Sequence, residues 1–212
     1  MMMLKQILGV GAISLMLVSC GEKVDEAAEA MSNMKSIAET ADEAQKTQDV
    51  LTKRREERRA KGDTLALAPD EIKKFLPGDI DGYKAEEPET QSMDMQGMSW
   101  SVASKEYRKD DGSTVKVTIT DYNATADMWA GATMMFAIKW SVDNATETSK
   151  TIQTDDPYVN GHERFGKQDK SAAITYGLGG RFLLQIEGTN QTNTEFLKSI
   201  ASRMDLKKMA GM

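Results

Sequence analysis

Residues 68–212 predict an α+β domain, a mainly antiparallel sheet flanked by helices, preceded by a helical or disordered stalk. Three observations carry that expectation. Val115, Val117 and Ile119 alternate with Lys116 and Thr118, the period of a half-buried strand. Short turns, not long crossovers, separate the strand-like runs, which favours antiparallel pairing in a layered α+β arrangement. The segment closes on an amphipathic helix, with Thr192 and Glu195 spaced as a capping box ahead of Phe196, Leu197, Ile200, Ala201 and Met204.

The elements follow in order. Pro69-Asp70-Glu71 opens a short helix with acids near its positive end, and Pro77 closes it after Ile72, Phe75 and Leu76. Gly82-Tyr83-Lys84 begins a short strand. Strands over 99–107 and 113–120 flank Lys109-Asp110-Asp111-Gly112, where Asp-Gly is a hairpin turn signal. A helix is expected over 125–140, because Met128, Ala132, Met135 and Phe136 keep a helical period and Trp129 and Trp140 widen the apolar face. Strands over 149–154, 163–167 and 172–176 come next. Gly177-Leu178-Gly179-Gly180 then turns the chain into a last strand over 181–187.

Composition narrows the function classes. The chain has 212 residues, 27 Lys+Arg against 33 Asp+Glu and a net charge of −6, enough for one domain plus a tail. An acidic balance argues against nucleic acid as a partner. A single Cys and a single His exclude a disulfide framework, a Cys-rich zinc site and HExxH-type metal motifs.

The N-terminus reads as an address. Lys5 is the one charge before residues 7–18, an uncharged apolar run too short to cross a bilayer, which needs about 20 residues. It fits the h-region of a secretory signal peptide. The run ends at Leu17-Val18-Ser19-Cys20, and this tetrad resembles the bacterial lipobox. That resemblance implies removal of residues 1–19 as a lipoprotein signal peptide and acylation of Cys20. The chain would then be anchored to a membrane of the cell envelope, facing the periplasm, since two acyl chains give stable anchoring. Gly21 in place of Asp leans toward the outer membrane.

Residues 20–67 are expected to form the lipid-anchored, charged stalk. Between 22 and 61 there is no Pro or aromatic residue, and helix formers dominate. Val24, Met31 and Ala38, with Ala27, Met34 and Ala41 between them, repeat every seven residues in a seam too small for a strong coiled coil. A lone solvated helix or a partly disordered stalk is favoured, about 60 Å long if helical throughout. Arg54, Arg55, Arg58 and Arg59 form the core of a basic patch, a candidate contact for anions or an acidic partner. The competing and favoured reading is a solvated helix end, where cations suit the C-terminal dipole.

Few motifs bear on chemistry. Met93-Asp94-Met95-Gln96-Gly97-Met98 is the most distinctive. Thioethers are soft ligands that suit Cu(I), and MxMxxM resembles the Met-rich strings of periplasmic copper proteins. Met93, Met95 and Met98, with Trp100 nearby, are therefore candidate Cu(I) or Ag(I) ligands. Packing against the sheet or a partner is the alternative use of these side chains. His162 follows Asn160-Gly161 and reads as a surface residue at a turn edge. Asp155-Asp156 reads as a polar turn before Pro157, and Gly177-Leu178-Gly179-Gly180 lacks the Lys-Ser/Thr of a P-loop. Three Asn-x-Thr sequons, at Asn123, Asn144 and Asn190, read as turn and cap residues.

The element order, with Leu76-Pro77-Gly78, Val159-Asn160-Gly161, Gly180-Arg181-Phe182 and Asp205-Leu206, resembles the PsbP-like fold of photosystem II extrinsic subunits and DcrB-like bacterial lipoproteins. That resemblance implies a docking or accessory role and supplies no catalytic residues. The expectation is a non-enzymatic, membrane-tethered domain that binds an envelope protein or component. It has no cofactor, and Cu(I) sequestration is the alternative.

Overall fold

A computed structural model describes residues 42, 44–95, 98–152 and 154–212, which lie in one compact unit running from Glu39 to Met212. The lipobox, Cys20 and the seven-residue repeat up to Ala41 lie outside the described residues. Helix α1 covers 44–60. It ends in a two-bond C-terminal cap: Gly62 N–H donates to Arg59 O and Asp63 N–H to Arg58 O, each at 3.0 Å. α2 (Pro69–Ile72) runs into a 3₁₀ turn (Lys73–Phe75). Then come β1 (Lys84–Ala85), β2 (Glu89–Met95), β3 (Met98–Arg108) and β4 (Thr114–Asp121). α3 (Ala126–Thr133) and a second 3₁₀ turn (Met134–Ala137) lead to β5 (Ser141–Asp143), β6 (Glu147–Ile152), β7 (Val159–Gly166), β8 (Ala172–Leu178) and β9 (Phe182–Gly188). α4 (Glu195–Ser202) and α5 (Leu206–Gly211) follow.

The fold is α+β, with nine strands among the described residues forming one antiparallel sheet in the order β1-β3-β4-β9-β8-β7-β6-β5. β2 pairs with β3 beside β1. Two meanders, β2-β3-β4 and β5 to β9, are sewn together by the β4–β9 pair, in which Val117 faces Ile186 and Ile119 faces Leu184. Strand alternation sorts the side chains onto two faces. One face carries Tyr107, Val117, Ile119, Ile174, Leu184 and Ile186, all buried, and α2, α4 and α5 cover it with Ile72, Leu197, Ile200 and Met209. Each such side chain contributes about 1.5–3 kcal/mol on full burial. The other face is mostly polar, with Ser104, Thr118, Thr175 and Gln185 along it. α3 packs at its edge, fixed by Trp129 Nε1–H donating to Phe182 O at 3.0 Å.

Several expectations shift. The helix over 125–140 is shorter, because α3 gives way to a 3₁₀ turn at Met134. β2, β5 and α5 were not expected from the pattern. The capping box does not form: Thr194, not Thr192, is the N-cap residue of α4, and its hydroxyl donates inward to Glu163 Oε2 at 2.6 Å. Asn160-Gly161 is not a turn but part of β7. A Cβ at Gly161 would sit 2.6 Å from Thr175 O and 2.8 Å from the Tyr176 ring, so close packing between strands explains the glycine. The helix expected for the stalk is present over 44–60, but it lies against the domain, with Leu51 and Arg58 buried. The compact unit starts at Glu39, so it includes residues 44–67 that the pattern assigned to the tether.

Candidate functional site

The basic patch is divided by the fold. Arg58 is buried: Nε donates to Asn123 Oδ1 at 3.1 Å, Nη1 to Gly179 O at 2.8 Å and Nη2 to Gly180 O at 3.2 Å. Gly179 and Gly180, both with positive φ, form the β8–β9 turn and turn their carbonyls toward this guanidinium. Burial first, and the neighbouring Arg181 second, push the Arg58 guanidinium down to about 10, so it remains a cation at neutral pH. Arg54 donates to Gly211 O and lies over the Tyr158 ring. Arg55 stands 4.0 Å from Asp127 Oδ1. Arg59 alone of the four is exposed.

Arg58 belongs to a larger buried network. Arg181, only 2% exposed, holds Asp121 through Nε at 3.1 Å to both carboxylate oxygens and through Nη2 at 2.8 Å. Its Nη1 reaches Asp63 Oδ2 at 2.8 Å. Asp121 also accepts from the backbone N–H of Leu67 and Asn123. Asn123 Nδ2 returns to Asp63 Oδ1 at 2.7 Å. Asn123 is thus an internal connector, consistent with a turn role for that sequon. The helical spacing of Leu51, Arg54 and Arg58 puts them on one face of α1, the sequence signal for this docking.

The Met string covers the end of β2 and the start of β3, which pair antiparallel. Its register sets Met93 opposite Trp100 and position 95 opposite Met98, so the four positions share one face, the one turned away from the helical layer. Met93 and Met98 are exposed. Among the described residues, no group of three or more His, Cys, Asp or Glu side chains is placed to hold a metal.

A second exposed apolar strip runs along α3 and the turn after it. Met128, Met134, Met135 and Ile138 are 36–63% exposed. Behind it lies His162, stacked on Trp140 with centroids 5.0 Å apart and on Phe136 at 6.3 Å. Its Nε2 shares a 2.7 Å hydrogen bond with Ser149 Oγ. His162 is therefore a strand residue between aromatic rings, not a turn-edge surface residue. Ser149 is buried beneath this stack, so the Ser–His pair presents no open nucleophile. Asp156 accepts from Tyr158 N–H, the local turn expected of the Asp155-Asp156 pair.

No helix among the described residues is long and apolar enough to cross a membrane. Comparison with known proteins finds no matching family model, no matching curated protein and no matching solved structure.

Burial lowers the His162 imidazole below its ordinary 6.5, with Arg164 adding to the shift and Glu163 and Glu147 opposing it. The folded state therefore binds this proton less readily than the unfolded chain. The stability linked to it is complete above about 6.5 and is lost as the pH falls through the folded value. Because the chain has one His, its imidazole C–H resonance can be followed unambiguously by proton NMR. The titration midpoint is expected below 6.5 in the native protein and closer to 6.5 in Trp140→Ala. A native midpoint at or above 6.5 contradicts the buried stack.

Proposed function

We propose that this chain is a bacterial envelope lipoprotein, a non-enzymatic binding or accessory domain held at a membrane by lipidated Cys20. The observation that carries this reading is the Leu17-Val18-Ser19-Cys20 tetrad at the end of a short uncharged run, holding the only thiol in the sequence. The acyl chains supply the location, facing the periplasm, with Gly21 favouring the outer membrane.

The element order read from the sequence resembles that of PsbP-like domains, and that resemblance implies a docking role. The Met128, Met134, Met135 and Ile138 strip is the kind of adaptable apolar surface that suits a protein partner in the envelope. Metabolic labelling with palmitate in a bacterial host tests the anchor. Wild-type chain is expected to take up label and Cys20→Ala to take up none, and equal labelling rejects the proposal.

The β2–β3 register favours one second reading, Cu(I) or Ag(I) sequestration. By register, Met93 and Met98 fall on one face of the β2–β3 pair with Trp100, and position 95 belongs to the same row. In a competition titration against a Cu(I) chelator, the wild-type chain is expected to withdraw metal and the triple change of these residues to Leu to lose that ability. Identical curves eliminate the metal reading.

A further inference from the structure

The helical layer contains a cleft of about 510 Å³ between α2 with its 3₁₀ turn and the α4–α5 junction. That volume is within the usual range for small-molecule sites, about 300–1,000 Å³. Its floor is apolar: Leu67, Phe75, Leu76 and Met212 pack on the core beside Met204. Its charged lining is Glu71 and Asp205 against Lys74, Arg203 and Lys208.

The two acids are already engaged. Glu71 Oε1 takes Lys74 Nζ at 2.6 Å, and Asp205 Oδ1 caps α5 by accepting from Lys208 N–H at 3.0 Å. Two cations are left for a ligand. Lys208 Nζ sits 5.6 Å from the centre of the Phe75 ring, directly above the apolar floor. Arg203 has only a loose contact, 3.7 Å to the fully exposed Asp81. Two of the nearby backbone carbonyls already have partners, Pro77 O accepting from Tyr107 and Gly78 O from Lys105. An acyl chain needs no main-chain partner.

We propose that this cleft binds a single-chain anionic amphiphile, a long-chain carboxylate, with its acyl chain over Phe75 and Met204 and its head group between Lys208 and Arg203. The tail gains by leaving water for the apolar floor. The head gains from charge-assisted hydrogen bonds, which Arg203 can make in pairs. The inference concerns the folded domain alone, so it stands or falls independently of Cys20.

The test uses the full-length chain and dodecanoate below its micelle concentration, followed by calorimetry and by NMR of methyl-labelled Met. Dodecanoate is expected to bind saturably with one molecule per chain, moving the methyl resonances of Met204 and Met212 and leaving those of Met128, Met134 and Met135 in place. Lys208→Glu, an exposed change on a short helix, is expected to weaken binding by about fivefold or more, since reversal replaces an attraction with a repulsion. Dodecyltrimethylammonium, with the same tail and a positive head, is expected not to bind. Absence of saturable dodecanoate binding, shifts on the α3 methionines instead, equal affinity for the cationic analogue, or unchanged affinity in a folded Lys208→Glu variant would each overturn the proposal.

Discussion

The bond between Arg181 and Asp121, sealed from water, governs how this molecule closes. Asp121 ends β4 and Arg181 immediately precedes β9, so the ion pair locks the seam where the two meanders join. A buried carboxylate is tolerable only when its oxygens are filled, and here they also accept from Leu67 and Asn123. A buried pair of this kind adds little net stability over an apolar substitute. Removing one partner, however, strands the other and costs about 3–5 kcal/mol. Asp63 and Arg58 extend the same pair outward, so that two cations and two anions share one pocket. The β8–β9 turn, the loop before α2 and the end of α1 are thereby tied to one point.

This constraint changes how the N-terminal half is understood. A run such as Lys53-Arg54-Arg55-Glu56-Glu57-Arg58-Arg59 has the composition of a solvated helix, and most of its side chains do remain at the surface. Arg58 differs because its long stem crosses the interface and its Nη1 and Nη2 donate to the two carbonyls of the β8–β9 turn. Composition averages over the run, whereas burial is decided residue by residue. Only the spacing of Leu51, Arg54 and Arg58 on one face of α1 signals it, and one aliphatic residue among charges is a weak signal.

The sheet's centre was legible and its edges were not. β4, β8 and β9 have one face turned to the core, so Val115, Val117, Ile119 and Ile174, Leu184, Ile186 leave a period of two in the sequence. β2 is an outer strand with Gln91, Ser92 and Asp94 exposed, so it has no apolar period, and its Met residues read as ligands before they read as a strand. The Asn-Gly pair in β7 misled for another reason: that glycine answers the Tyr176 ring on the neighbouring strand, a contact no local pattern reveals. Of the candidate sites, Met93 and Met98 were visible as types and spacing, and register then put them on a common face with Trp100. The cleft was invisible, because Phe75, Met204 and Lys208 meet only through tertiary packing. The molecule thus offers different chemistry on its two sides. Soft, exposed methionines mark the open face of the sheet, and a basic-rimmed apolar cleft marks the helical layer.

Native-state hydrogen exchange on the full-length chain tests most directly whether α1 is part of the domain. Amides of α1 are expected to be protected well above the level of a free helix. In Arg58→Ala they should lose that protection selectively, while β4 and β9 keep theirs. If the α1 amides of the wild-type protein exchange as freely as an isolated peptide, the buried arginine does not hold the helix and the tether reverts to a stalk.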